Sequence, residues 1–170
     1  MLSREDNNLL TQVGPGTPIG ELFRRFWLPA LLPSELPEPD CAPVRLRIMS
    51  EDFTIYRGED GQVRIVDARC PHRFALMHLG WVEGSAIRCV YHGWKFDHGG
   101  QCVEQPAEEA GFARKVKIRS IPAREYVGLV YAYFGEGEPP AWPPYPVRET
   151  PGIFDIWNVE RLPCNYLQSY

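Results

Sequence analysis

Residues 70–92 read CPHRFALMHLGWVEGSAIRCVYH, in which Cys70 and His72 flank a proline and, after sixteen intervening residues, Cys89 and His92 close the stretch. Each of two segments offers one thiolate and one imidazole, at a spacing that implies a metal centre. Thiolate prefers soft or borderline metals and imidazole suits iron, copper and zinc, so residue types alone leave zinc and iron-sulfur chemistry open. The order is more informative. Structural zinc sites usually take a pair of Cys and then a pair of His, whereas here the two types alternate. A two-iron, two-sulfide centre with two Cys on one iron and two His on the other accepts that alternation, because both loops then touch both metals.

The surroundings carry a more specific pattern. CPHR at 70–73, RCVYHGWKFD at 88–97 and GQC at 100–102 resemble the Rieske domain of ring-hydroxylating non-haem iron oxygenases, the phthalate dioxygenase-like branch above all. TQVGPGTPIGELFRRFW at 11–27 and LPCNYLQ at 162–168 are similar to that branch too, so the resemblance covers essentially the whole chain. One departure is Phe74, where many relatives carry Gly; vanillate demethylase-like and other monooxygenase relatives resemble this sequence there. The resemblance implies a Rieske 2Fe-2S cluster with Cys70 and Cys89 on the buried iron and His72 and His92 on the outer iron. It also implies a flavin- or ferredoxin-type reductase as electron donor, an aromatic substrate, a mononuclear Fe(II) centre as electron acceptor and a homotrimer for the full-length protein.

The same resemblance places the Asp bridging the two metal centres, and the His, His and Asp/Glu ligands of the mononuclear iron, after the CNYLQ segment. No catalytic residue is therefore expected in these 170 residues, which read as the electron-entry part of a longer oxidoreductase, dioxygenase or monooxygenase. High-potential respiratory Rieske proteins add a disulfide and two hydroxyl donors to the cluster. Aligned to their loops, this chain has Ala75 and Tyr91 at the disulfide positions, Trp94 at the Ser position and Phe96 at the Tyr position. A potential near the bottom of the Rieske range of about -150 to +300 mV is expected. Two rival readings are a stand-alone Rieske ferredoxin-type carrier and a structural zinc module.

Composition agrees with a folded domain: 44% of residues are apolar and 12% aromatic, enough to fill a core. The formal charge of -4, with acids and bases interspersed, gives nucleic-acid binding no electrostatic support. The segment MLSREDNNLL has no apolar h-region and the longest apolar run, 126–134, is too short for a bilayer, so a cytoplasmic protein without membrane contact is expected. Five cysteines in such a chain argue for metal binding rather than a disulfide framework. Cys41, Cys102 and Cys164 are then read as small buried or half-buried residues.

In chain order, Thr17 is positioned to cap a helix starting at Pro18 and running to about Leu28. Ile19, Leu22, Phe23, Phe26 and Trp27 form its apolar stripe, Arg24 and Arg25 lie opposite, and Pro29 stops it. The proline-rich run to Pro43 reads as a connector. From Val44 the period changes to two: 44–49, 53–57 and 62–68 form an antiparallel meander with a turn at 58–61. Segments 86–91 and 94–97 flank the second metal loop, and 115–122 and 126–134 read as further strands. The fold class expected is mainly β, a small antiparallel barrel or sandwich with an N-terminal helix. The domain reading is 1–43 for the helix and connector, 44–135 for the Rieske domain, 136–151 for a proline-rich linker, and 152–170 for the start of a catalytic domain, with 153–162 as a strand.

Around the cluster, Gly93 is expected to supply a backbone angle that other residues avoid, and Pro106 to lie in a loop covering the site. Arg73 either places positive charge beside the cluster or pairs with an acid. His78 and His98 read as surface or turn residues.

Overall fold

A computed structural model describes residues 2–109, 111–144, 150–152 and 162–169. Two short helices, α1 (Arg4–Thr11) and α2 (Pro18–Phe23), precede eleven strands: β1 (Trp27–Leu31), β2 (Val44–Ile48), β3 (Glu51–Arg57), β4 (Val63–Asp67), β5 (Trp81–Glu83), β6 (Ala86–Arg88), β7 (Lys95–Phe96), β8 (Cys102–Glu104), β9 (Ser120–Ile121), β10 (Ala123–Tyr126) and β11 (Leu129–Tyr133). They form three antiparallel sheets, ordered β1-β11-β10, β2-β3-β4-β9 and β5-β6-β7-β8. The expected mainly-β, antiparallel class with an N-terminal helix is what is observed.

Several local expectations need correction. The sequence reading assigned no helix before Thr17, yet α1 forms there, because the Ser3 side chain caps it by accepting from the Asp6 N-H at 3.0 Å. Helix α2 begins at Pro18 as expected but stops at Phe23, and the Thr17 hydroxyl donates to Gly14 O at 2.7 Å instead of capping it. Residues 27–31 gain more as a strand, since β1 pairs with β11 along its length. Pro29 is tolerated because β1 lies at a sheet edge with a register shift between Pro29 and Leu31. Arg24 does not face solvent; it is only 7% exposed.

Of the strand expected at 126–134, residues Leu129–Tyr133 form β11. It is joined to β10 by a turn at Val127 and Gly128, whose φ angles of 43° and 74° are the left-handed pair that a two-residue hairpin requires. Only Ser120 and Ile121 of the expected strand at 115–122 join a sheet, while Phe112–Lys115 forms a 3-10 turn. The described part of 136–151 holds neither helix nor strand. The strand expected at 153–162 lies, but for its last residue, outside the described residues.

The sheet containing β3 and β4 is buried on both faces. Phe53, Ile55, Val63 and Ile65 join Leu31, Leu36, Val130 and Phe134 in one core against the β1-β11-β10 sheet. Tyr56 and Val66 point the other way, into a second core with Met77, Val82, Ile87, Phe96 and Ile118, and that core also contains Cys70, Cys89 and Cys102. The period-2 alternation therefore reads as an almost unbroken apolar run, because both faces find a core.

A network of ions ties the N-terminal segment to this sheet. Arg24 donates to Val13 O, Gly20 O and Met49 O at 3.0, 3.2 and 3.2 Å, and to the Glu51 carboxylate at 2.6 Å. Arg119 donates to the other Glu51 oxygen at 2.7 Å and to Asp67 at 2.8 Å, with its guanidinium 5.1 Å from the centre of the Phe53 ring. Burial pushes the Glu51 carboxyl upward, but the hydrogen bonds from Arg119 and Arg24 together outweigh it and hold the group below the usual glutamate range. A depressed folded-state pKa stabilises the fold above the ordinary glutamate pKa, and that stabilisation is lost as pH falls through the folded value. Glu51→Gln is expected to cost about 2 kcal/mol at pH 7. It is also expected to flatten the fall in stability below about pH 4.5, as read by urea unfolding across pH; an unchanged acid limb would show that other carboxylates set it.

Candidate metal centre

The third sheet is built from strands of two or three residues, and the loop that precedes this sheet, flanked by the Arg69–Leu76 bridge, shares one backbone design with the loop between β6 and β7. In the first, Cys70 N-H donates to Ala75 O at 2.9 Å and Phe74 N-H to Cys70 O at 2.9 Å. In the second, Cys89 N-H donates to Trp94 O at 2.9 Å and Gly93 N-H to Cys89 O at 3.0 Å. Each cysteine thus closes a loop to the fifth residue after it and accepts from the fourth. That fourth residue is left-handed in both, with φ of 57° at Phe74 and 72° at Gly93. The imidazole comes from the second position of the first loop, His72, and from the third position of the second, His92.

The loops bring the sequence-predicted residues together in pairs, Cys70 with Cys89 and His72 with His92. Cys70 and Cys89 are 1% and 2% exposed, whereas His72 and His92 are half-buried. The imidazole centroids lie 4.7 Å apart with the rings inclined at 58°. Tyr91 packs on His92 at 3.8 Å, and Trp94 stacks flat on His72 at 4.3 Å and 3°. Burial pushes the Cys70 thiol up to about 12, and the Cys89 side chain beside it adds to the rise. Without metal Cys70 is held as the thiol, so metal binding to it must release a proton.

One observation fits a bound metal at this position. His72 Nδ1 is buried without any hydrogen-bond partner, a lone pair or N-H with nothing to serve unless a metal takes it.

Arg88, which the sequence reading passed over, fastens the second loop. It donates to Gly93 O at 2.7 Å, to Glu83 at 2.6 Å and to Glu104 at 2.6 Å, joining β5, β6 and β8 to the loop. These bonds hold both carboxyls below the usual range. Gly93 has the left-handed angle expected of it, and a Cβ there would meet Pro106 Cγ at 3.2 Å, so Pro106 lies over the second loop. Arg73 is exposed, and among the described residues no acid pairs with it. His98 is exposed and His78 lies in the 3-10 turn Met77–Leu79, as expected, the latter half-buried with its Nδ1 unpartnered. Cys41 is half-buried and Cys102 buried, in line with expectation, whereas Cys164 is exposed.

Residues 26–125 match the family described as the Rieske [2Fe-2S] domain. The chain is 43% identical over 177 residues to the 5,5'-dehydrodivanillate O-demethylase oxygenase subunit of Sphingobium sp., covering 99% of this chain and 41% of that protein. It is 42% identical over 176 residues to the phthalate 4,5-dioxygenase oxygenase subunit of Pseudomonas putida, covering 99% and 39%. The crystal structure of apo dicamba monooxygenase superposes with a TM-score of 0.66 at 34% identity, over 75% of this chain and 40% of that one. The chain therefore spans about two fifths of the length of the curated relatives it matches.

Two substitutions examine the loops. Phe74→Gly is expected to raise stability by about 0.5 to 1 kcal/mol, because it relieves a left-handed side-chain residue and gives up little burial. A loss measured by thermal unfolding would show that the Phe74 ring holds the loop. Arg88→Leu is expected to cost about 1 to 2 kcal/mol and to speed iron release to a chelator, because the second loop loses its fastening. An unchanged release rate would mean that the turn's own hydrogen bonds suffice.

Proposed function

The chain belongs to the Rieske [2Fe-2S] domain family, and on that premise we propose that it is the electron-entry portion of a non-haem iron oxygenase acting on aromatic compounds. The observation that carries this reading is a pair of buried thiols and a pair of half-buried imidazoles on two loops of one design, one imidazole with an orphaned Nδ1. Cys70 and Cys89 hold the inner iron and His72 and His92 the outer one. A bound 2Fe-2S cluster supplies one-electron redox chemistry. The thiols do their part by giving up protons in a site that excludes water. The imidazoles do theirs by presenting ring edges at the surface, where an N-H can bond a partner's carboxylate. His92 is the exit toward the acceptor.

The proposed donor is a flavin- or ferredoxin-type reductase, and the proposed acceptor is a mononuclear Fe(II) site in the remainder of a longer, homotrimeric, cytoplasmic protein. Among the described residues no helix is long and apolar enough to cross a membrane. In this reading residues 44–135 are the cluster domain, 136–151 a linker and 152–170 the opening of the catalytic domain. The relatives include both dioxygenase and O-demethylase subunits, so either type of oxygenation suits the proposal.

Purified protein is expected to be red-brown and to contain iron and acid-labile sulfide in equal amounts, with both lost in Cys70→Ser. Zinc without sulfide would overturn the reading in favour of a structural metal module. Given reductant, the 170-residue chain should cycle between oxidised and reduced forms without hydroxylating an aromatic compound. Product formed by the pure chain would move the catalytic centre into these residues.

A further inference from the structure

We propose that Trp94 tunes the centre directly, its indole Nε1-H donating to a sulfur of the bound cluster. The inference rests on the 2Fe-2S reading given above. Trp94 is 4% exposed, and its Nε1 is buried without a hydrogen-bond partner among the described residues. A buried N-H left unpaired is costly, and nearly all such groups in folded proteins are satisfied. The indole also has no freedom to search for a partner elsewhere. Its backbone carbonyl takes the Cys89 N-H at 2.9 Å, its face lies flat on His72 at 4.3 Å, and Phe112 meets it edge-on at 6.5 Å.

The residue is therefore held at two proposed ligands, its indole lying on His72 and its backbone carbonyl bonded to Cys89. Two orphaned polar atoms, His72 Nδ1 and Trp94 Nε1, belong to rings stacked on one another. The first calls for a Lewis acid and the second for an acceptor. A metal-sulfide cluster supplies both at once, whereas a lone metal ion supplies only the first. A hydrogen bond to sulfur favours the more negative, reduced state, so Trp94 raises the potential above what this pocket would otherwise set.

The test compares the cluster-bearing wild type with Trp94→Phe and with a protein carrying benzothienylalanine at position 94, in which sulfur replaces the N-H and the bicyclic outline is kept. Loss of one neutral hydrogen bond is expected to shift the one-electron equilibrium about fivefold toward the oxidised form. That is about 40 mV lower at 59 mV per decade. Pulsed EPR of the reduced protein after exchange into D2O should show one exchangeable-hydrogen coupling in the wild type that is missing from both variants. A benzothienyl protein with unmoved potential, or one that keeps that coupling, overturns the proposal even if Trp94→Phe shifts the potential, since packing alone would then explain the shift. Wild-type protein lacking iron and sulfide overturns the cluster reading and this inference with it.

Discussion

Everything near the centre depends on one constraint: two thiols must lie side by side away from water while two imidazoles stay at the rim. The chain meets it by using the same loop twice. Cys70 and Cys89 each close to the fifth residue onward and accept from the fourth. Strands of two and three residues would not hold such loops alone. They are held because Tyr56 and Val66, from a sheet whose opposite face is already buried, provide a floor beneath Ile87 and Phe96.

Within this shared frame, the position of the imidazole is the variable. At the second position of one loop and the third of the other, His72 and His92 leave the backbone at different points, and their rings end inclined at 58° rather than stacked. Trp94 then takes the open face of His72, and Tyr91 that of His92. The aromatic cover fixes the ring planes, a requirement when a ligand's orientation decides which of its nitrogens meets the metal.

The candidate ligands stood out in the sequence because thiolate and imidazole in alternating order have few chemical meanings, and the meander was legible because β2 keeps one face exposed and alternates Val44, Leu46 and Ile48 with Arg45 and Arg47. What failed to show depended on distant partners. Phe26 and Trp27 continue a helical stripe, and only pairing with β11, far along the chain, makes Trp27 begin a strand. Arg24 looked like the polar side of that helix until Glu51 and the Met49 carbonyl were placed beside it. Arg88 is one arginine among many in the sequence; its role exists only where Glu83, Glu104 and Gly93 O converge. Helix α1, in contrast, had a local signal in Ser3 and Asp6, and was missed for want of an apolar stripe.

Phe74 shows how the repeated loop tolerates an exception. The fourth position must be left-handed in both loops, and the second fills it with Gly93, the residue for which this conformation costs least. Glycine suits the position for a second reason, since a Cβ there would crowd Pro106 Cγ at 3.2 Å. The first loop carries no such constraint: the Phe74 side chain runs into solvent, 66% exposed. Its strained backbone is held from both sides, by the Cys70 carbonyl on its N-H and by Arg69 Nη1 on its own carbonyl at 3.0 Å. Strain of this kind persists only where the surroundings over-determine it. The two loops therefore share one backbone problem, and which residue solves it is decided by what lies above the loop.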